Sequence, residues 1–254
     1  MDMAEIRIQV ADEVDRYLES AVRMGLFTNK AEIARAAIVQ YMSSITLMSR
    51  GYDGEMMFSP EGRLYQIEYA RGAASRGLSV AGIACSDGVA LAAESIQLAS
   101  DPADDGERLM MPVEKITKVN ENVIVGTSGL VMDANLVVEA LKGSKFESDD
   151  ELKSGLREIY KPYLYKRDVR PLGVGLIIGS VLDGAHLYEV DASGAIVEYR
   201  ATCIGRRKDD AIKILGSKYR AMGIEDAKPL LIEALGNPKG SGIVSLSAKG
   251  KGKK

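Results

Sequence analysis

Residues 58–74 read FSPEGRLYQIEYARGAA, a pattern that predicts a capped amphipathic helix. Ser59 suits the N-cap, Pro60 the first helical position and Glu61 the positive helix end. Leu64, Ile67, Ala70 and Ala74 recur at three- and four-residue steps and make one narrow apolar stripe. Arg63, Gln66 and Arg71 fall opposite and are expected to be solvated. Such a helix can open a domain, yet more than fifty residues precede it. The fold turns on what those residues form and on which elements come after the helix.

A chain of 254 residues holds one large domain, or one medium domain with a small one. A hydrophobic share of 46% is enough for a packed core. No apolar run is long enough to span a bilayer, and MDMAEIRIQV at the start lacks the basic-then-apolar layout of a secretory leader. Cys85 and Cys203 stand far apart with no CxxC, so neither a disulfide scaffold nor a zinc site is expected. His186 is the only histidine; it is read as a strand or loop residue, and no multi-His metal site or His-based triad is expected. These features predict a soluble, cytoplasmic protein with no metal and no cofactor.

Charge is uneven along the chain. Residues 1–50 hold six basic and seven acidic side chains, and 247–254 hold four lysines and no acid. With −3 overall, residues 51–246 carry −6. An acidic body is a poor nucleic-acid surface, and the Lys/Gly tail is expected to be disordered.

Within the first fifty residues, EIRIQV (5–10) alternates, with Ile6, Ile8 and Val10 on one face and Glu5, Arg7 and Gln9 on the other. That predicts one half-buried strand. In ADEVDRYLESAVRMG (11–25), Val14, Tyr17, Leu18 and Ala21 mark a helical face and Gly25 the stop. FTNKAEIARAAIVQYM (27–42) opens with Asn29 at the N-cap and Glu32 three residues on, a capping-box pattern. Ile33, Ala37 and Tyr41 continue that helix on one side. One strand and two helices cannot close a core alone, whereas two copies can, by pairing their strands as an antiparallel ribbon.

This stretch resembles the ribbon-helix-helix family, with GLFTNKAEIARAAI (25–38) at its turn and second helix. The resemblance implies a two-fold dimer in which Arg7 and Gln9 read bases while Asn29 and Lys30 approach the DNA backbone. Glu5 shares that face and repels phosphate. The net charge of −1 favours dimerisation over DNA binding, because affinity for DNA comes largely from neutralised phosphates.

Beyond residue 58 the pattern alternates between strands and helices. LSVAGIACSDGVALAAE (78–94) and EKITKVNENVIVGTSG (114–129) each predict two strands around a turn. Helices are expected over 130–143 and 149–165, strands over 173–183, 185–194 and 195–205, helices over 208–223 and 224–236, and a last strand over 241–248. This order predicts an α/β (α+β) sandwich of sheets with helices on its faces.

GYDGEMMFSPEGRLYQIEYARGAA (51–74) resembles the N-terminal region of proteasome alpha-type subunits, archaeal ones included. The likeness continues through TSGLVMDA (127–134), VRPLGVGLI (169–177), EVDASGAIVEYRATCIG (189–205) and KDDAI (208–212), in family order over about 51–246. It implies the N-terminal-nucleophile hydrolase αββα sandwich, preceded here by the small ribbon-helix-helix (β-α-α) domain. The expected organisation is a module over 1–46, a linker over 47–51, the body over 52–246 and the tail over 247–254.

Catalytic beta-type relatives use an N-terminal threonine whose free amine acts as base. Aligning VAGIA with their matching strand puts Leu78 at the nucleophile position, with Ser79 on the opposite face. Glu94 and Lys115 fall where the beta-type acid and lysine stand. The resemblance thus implies a non-catalytic subunit, with Lys115 receiving the C-terminal carboxylate of an ATPase activator and Tyr52, Asp53, Pro60 and Tyr69 supporting a gate. An internal pair with Glu94 is the alternative role for Lys115.

Four departures from the family point to a divergent paralogue: Gly54 for an arginine, Arg167-Asp168 for a glycine pair, an enlarged segment within 99–112, and the lack of a final strand and helix. The expected function is to form or cap a protease chamber and gate the admission of substrates. Expected partners are a homo-oligomer, as a ring or an even-numbered assembly, the activator and a beta-type subunit, with no membrane. A DNA-binding regulator using the body as an oligomerisation scaffold is the alternative.

Overall fold

The computed structural model describes residues 7–49, 58–94, 114–166, 168–238 and 242–248, with side chains through 42 in the first of these ranges. Ile6, Tyr52, Asp53, Gly54, Arg167, the enlarged segment within 99–112 and the tail from 249 lie outside the described residues. The chain divides into two compact units, Met1–Arg63 and Leu64–Lys254.

In the first unit, α1 (Asp12–Arg23) carries Asp12, Glu13 and Asp15 in its first turn, where the helix dipole favours acids. α2 (Lys30–Ser49) comes after the turn begun at Gly25. Residues 7–10, expected in a strand, form none. A lone ribbon strand has no ladder partner, and an unpaired strand in water is marginal.

The helix expected from Pro60 begins instead at Tyr65. Ser59–Gly62 is a β-turn closed by the Gly62 amide donating to the Ser59 carbonyl at 2.8 Å. Gly62 adopts φ +77, a left-handed conformation in which glycine carries no Cβ penalty and a right-handed helix cannot propagate. Ser59 accepts on Oγ from the Arg63 amide at 3.2 Å. The N-cap reading of Ser59 and Pro60 is therefore corrected to a turn, which shares the same residue preferences.

The second unit opens with α3 (Tyr65–Ser75), which buries Tyr65, Ile67 and Ala70. Then come β1 (Val80–Cys85), β2 (Gly88–Ala93), β3 (Ile116–Lys118) and β4 (Val123–Gly129). α4 (Val131–Lys142) and α5 (Asp149–Tyr165) are next, then β5 (Val174–Ser180), β6 (His186–Val190), β7 (Ile196–Glu198) and β8 (Ala201–Ile204). α6 (Lys208–Lys218), α7 (Ile224–Ala234) and β9 (Gly242–Ser247) complete the order.

Two antiparallel sheets form, β8-β1-β2-β9 and β3-β4-β5-β6-β7. The inner strands β1, β2, β4 and β5 are buried on both faces because both faces are covered. Outward residues of the first sheet, Ala81, Ile83, Ala90 and Ala92, pack on Ala211, Leu215, Ala227 and Leu231 of α6 and α7. Outward residues of the second, Val123, Val125, Leu176 and Ile178, pack on Val137, Leu141, Leu152 and Leu156 of α4 and α5. Val80, Val89, Leu91, Ile124, Ile177 and Leu187 fill the space between the sheets. The period-two split of each strand between two cores produces the four layers, helices–sheet–sheet–helices. Cys85 and Cys203 are buried free thiols.

The loop before Val174 is held by Asp133 on α4. Its carboxylate accepts a fork from Arg170 at 2.7 and 2.9 Å and the Gly173 amide at 2.7 Å. Within that loop Asp168 adopts φ +63, a left-handed conformation that glycine takes without a Cβ penalty. No helix among the described residues is long and apolar enough to cross a membrane.

Candidate functional site

The site lies where the segment joining α3 to β1 crosses the mouth of the sandwich. Ser79 is wholly buried there. Its amide donates to Glu94 Oε2 at 2.7 Å, its carbonyl accepts the Glu94 amide at 2.9 Å, and its Oγ accepts the Arg207 amide at 3.0 Å. The hydroxyl closest in sequence to the nucleophile position is therefore engaged as a structural acceptor.

Glycines let three backbone segments close on this point. A Cβ on Gly77 would lie 2.3 Å from the Gly129 amide nitrogen and 2.4 Å from Ser128 Oγ. One on Gly129 would lie 2.2 Å from the Gly173 carbonyl, and one on Gly205 would lie 2.8 Å from Ser79 Cα. Hydrogen bonds stitch the junction: Ser128 Oγ donates to the Ala74 carbonyl at 3.0 Å, and the Arg206 amide to the Gly77 carbonyl at 2.9 Å. Beside it remains a cavity of about 260 Å³ lined by Arg71, Ser75, Glu189, Asp191 and Lys208 among others. Its charges are paired, Arg71 with Asp191 and Lys208 with Glu189.

Glu94 is 3% exposed. Its carboxylate accepts Arg206 Nε on Oε2 at 3.1 Å and Arg206 Nη2 on Oε1 at 3.3 Å. Burial pushes the carboxyl up, but the Ser79 amide and the Arg206 guanidinium outweigh it, and the net result is a value below the usual carboxylate range. Lys115 stands just before β3, half-buried, with its carbonyl fixed by the Thr127 amide at 3.0 Å. Burial lowers its ammonium below the usual lysine value, and the Glu94 charge opposes this. The Lys115 side chain has no hydrogen-bond or ion-pair partner among the described residues. The internal pair with Glu94 is thus replaced by Arg206–Glu94.

Of the other expected site residues, Tyr69 shares the second unit with Lys115. It is 46% exposed on α3 and stacks on Tyr65 with ring centroids 6.4 Å apart. Pro60 is exposed in the first unit, at the second position of the Ser59–Gly62 turn. Arg71 is exposed, as expected, and also donates from Nε to Asp191 Oδ2 at 2.8 Å. Asp191 also accepts the Ser193 and Ala195 amides, at 2.9 and 3.2 Å, so α3 is tied to the β6–β7 turn.

In the N-terminal unit, Asn29 Oδ1 accepts the Glu32 amide at 2.9 Å, and Glu32 accepts the Thr28 amide at 2.7 Å. The expected cap is formed, with Glu32 reaching Thr28 where the simplest box would reach Asn29. Lys30 donates to Asp15 at 2.7 Å and Glu19 at 3.1 Å, and these bonds raise its ammonium value. These exposed carboxylates would compete with a phosphate for the ammonium. Arg7 and Gln9 are exposed and outside any strand. α1 has no buried residue, while Ile8, Val10, Val14 and Tyr17 are exposed.

The residues missed in the sequence are Arg206 and Arg207. The one available signal was their place directly after Gly205, where a φ of +92 turns the chain back over Ser79.

A family model described as "Proteasome subunit" matches residues 74–241. A second model, the N-terminal signature of A-type proteasome subunits, matches 52–73. The chain is 37% identical to the proteasome alpha subunit of Methanobrevibacter smithii over 201 residues, which is 74% of this chain and 78% of that one. It is 35% identical to the proteasome alpha subunit of Archaeoglobus fulgidus over 203 residues, 75% and 79% of the two chains. The same protein of Methanocaldococcus jannaschii is 36% identical over 191 residues, 70% of each. With a matching sandwich and a matching N-terminal signature, the chain belongs to the proteasome subunit family, on its alpha-type side.

Proposed function

We propose that this alpha-type chain is a divergent, non-catalytic, cytoplasmic subunit that forms or caps a protease chamber and gates the admission of unfolded substrates. Proteolysis would be done by a separate beta-type partner. The carrying observation is the closed mouth of the sandwich. A nucleophile of the N-terminal type needs a free amine and open space beside it. Here Leu78 has no nucleophilic atom, Ser79 Oγ is buried as an acceptor, and Gly77, Gly129 and Gly205 bring backbone into the gap. Lys115, half-buried and with its side chain unpartnered among the described residues, suits a receptor for the terminal carboxylate of an ATPase activator. Tyr69 and Pro60, with Tyr52 and Asp53, would support the gate.

Purified protein is expected to leave fluorogenic peptides intact and to gain no mass from a threonine-directed inhibitor. Hydrolysis should arise only on mixing with a beta-type subunit. Turnover by the chain alone that vanished in Ser79→Ala would overturn the reading.

The N-terminal module would act by pairing with a second copy. Among the described residues α1 buries no side chain and Ile8, Val10, Val14 and Tyr17 are exposed, and the alternation over 5–10 suits a shared ribbon. DNA binding through Arg7, Gln9, Asn29 and Lys30 has less support, because Lys30 is held by Asp15 and Glu19 and Asn29 is used as a cap. Deleting residues 1–50 is expected to change the number of copies in the assembly, read from its native mass divided by that of the shortened chain. An unchanged stoichiometry would show that the module does not direct it.

A further inference from the structure

Among the described residues β8 is one edge of the four-stranded sheet, paired with β1 alone. In that antiparallel ladder Ala201 lies opposite Ile83, and the Ala84 amide donates to the Arg200 carbonyl at 2.8 Å. The N–H and C=O groups of successive residues point alternately to the two sides of a strand. Arg200 and Thr202 therefore turn theirs toward β1, while Ala201 and Cys203 turn theirs away from it. Cys203 is wholly buried, whereas Ala201 is partly exposed. The main-chain donor and acceptor of Ala201 are thus presented at an open edge.

A cavity of about 260 Å³ lies beside that edge, lined by Arg200, Ala201, Ile212, Leu215, Gly216 and Tyr219. The last four recur at helical spacing along α6 and its C-cap, so they form one wall. Leu215 is buried and packs in the same core as Ala201, which makes the floor apolar, while Ile212 is exposed. A Cβ on Gly216 would meet nothing within 4 Å, so the wall stands open at that point. Arg200 is the one charged residue in this lining and is exposed. Its guanidinium has no hydrogen-bond or ion-pair partner among the described residues. Glu198, two positions earlier, is taken by His186 at 2.7 Å, and Asp209 and Asp210 stand in the first turn of α6, outside the lining.

We propose that this groove between β8 and α6 docks an extended segment of another protein in which apolar and acidic residues alternate. One apolar residue of the segment exchanges both main-chain hydrogen bonds with Ala201: its amide donates to the Ala201 carbonyl, and its carbonyl accepts the Ala201 amide. Residues directly opposite in a ladder share a face. The side chain of that residue therefore follows Ala201 to the α6 side and enters the cavity beside Ile212 and Gly216. The flanking acidic residues pass Arg200. The open donor and acceptor call for extended backbone, the apolar floor for one aliphatic side chain, and the unpaired guanidinium for carboxylates in place of cations. Such docking is independent of gating and of Lys115.

The test is fluorescence anisotropy of two labelled, end-blocked octapeptides, alternating Val-Glu and alternating Val-Lys, titrated with the whole chain up to about 1 mM. The acidic peptide is expected to bind at least about threefold tighter, the order of one exposed ion pair, and Arg200→Glu to reverse that preference. Gly216→Leu fills the open wall. It is expected to weaken the acidic peptide at least about tenfold, the order of burying one valine side chain, without lowering the denaturation midpoint, since leucine is the better helix former. Ile212→Glu, at an exposed position of the same wall, repeats the test with a repelling charge. Methylating the valine nitrogens removes the donor to Ala201 and should weaken binding at least about threefold.

Equal affinity for the two peptides, a preference that Arg200→Glu leaves unchanged, or an affinity unmoved by both Gly216→Leu and Ile212→Glu would overturn the proposal. So would indifference to N-methylation, because the contact would then not run along a strand edge. Absence of binding would overturn it as well. If the native mass of the chain then fell in Gly216→Leu, the groove would be assigned to a second copy of this chain.

Discussion

Gly77→Ala is expected to destabilise the second unit by about 3 kcal/mol or more, at the upper end of overpacking effects. The added methyl would sit 2.3 Å from the Gly129 amide nitrogen and 2.4 Å from Ser128 Oγ. The first of these is backbone at the end of β4 and cannot rotate away. Relief requires the α3–β1 connection to lift, which breaks the Ser128–Ala74 and Arg206–Gly77 hydrogen bonds that hold it. Chemical denaturation measures the loss as a lower midpoint. Gly216→Ala is the control, since Gly216 lies in α6 and its added Cβ meets nothing within 4 Å. There a gain of roughly 0.5–1 kcal/mol is expected from helix propensity. Equal midpoints for Gly77→Ala and wild type would mean that the mouth is not closed by these backbone contacts.

Asp133→Ala is expected to cost about 3 kcal/mol, the sum of a charge-assisted fork and an orphaned buried amide. Arg170 would return to solvent at little cost because its side chain is 58% exposed. The Gly173 amide, now bonded to Asp133 at 2.7 Å, would stay buried without an acceptor. Arg170 holds the Asp133 carboxyl below its ordinary value of 3.8, with the Gly173 amide helping against burial. The folded value being depressed, the contribution is complete above the ordinary value. It fades as pH falls below about 4 and is lost once pH passes the depressed folded value. The stability difference between wild type and Asp133→Ala should therefore shrink on acidification below that point and stay flat from about pH 5 to 8. A difference that grew on acidification would contradict the pairing.

Much of this architecture was written in local pattern. Most strands and helices of 78–247 were legible because burying both faces of a strand demands unbroken apolar runs, as in VAGIAC and VGLIIGS, between turns such as Ser86-Asp87-Gly88 and Ser193-Gly194. The one strand expected over 195–205 is instead split, β7 joining the five-stranded sheet and β8 the four-stranded one. Asn29 and Glu32 announced their cap because both partners lie within one helical turn. The order of motifs from 51 to 212 carried the family.

Tertiary structure alone decided the rest. Ser59-Pro60 suits a helix start and a β-turn equally, and the left-handed Gly62 chose the turn. Arg71 sits on the polar side of α3, yet it meets Asp191, which the fold brings across from the β6–β7 turn. The partner of Glu94 is a residue 112 positions away, and no local periodicity encodes such a meeting. Sequence pattern reports which face of an element is buried, because burial repeats with the element's own period. Which charge meets which depends on how the layers stack, and so the sequence by itself determined the sandwich while the packing of β1, β2 and the Gly205–Arg207 turn decided that Arg206, and not Lys115, holds Glu94.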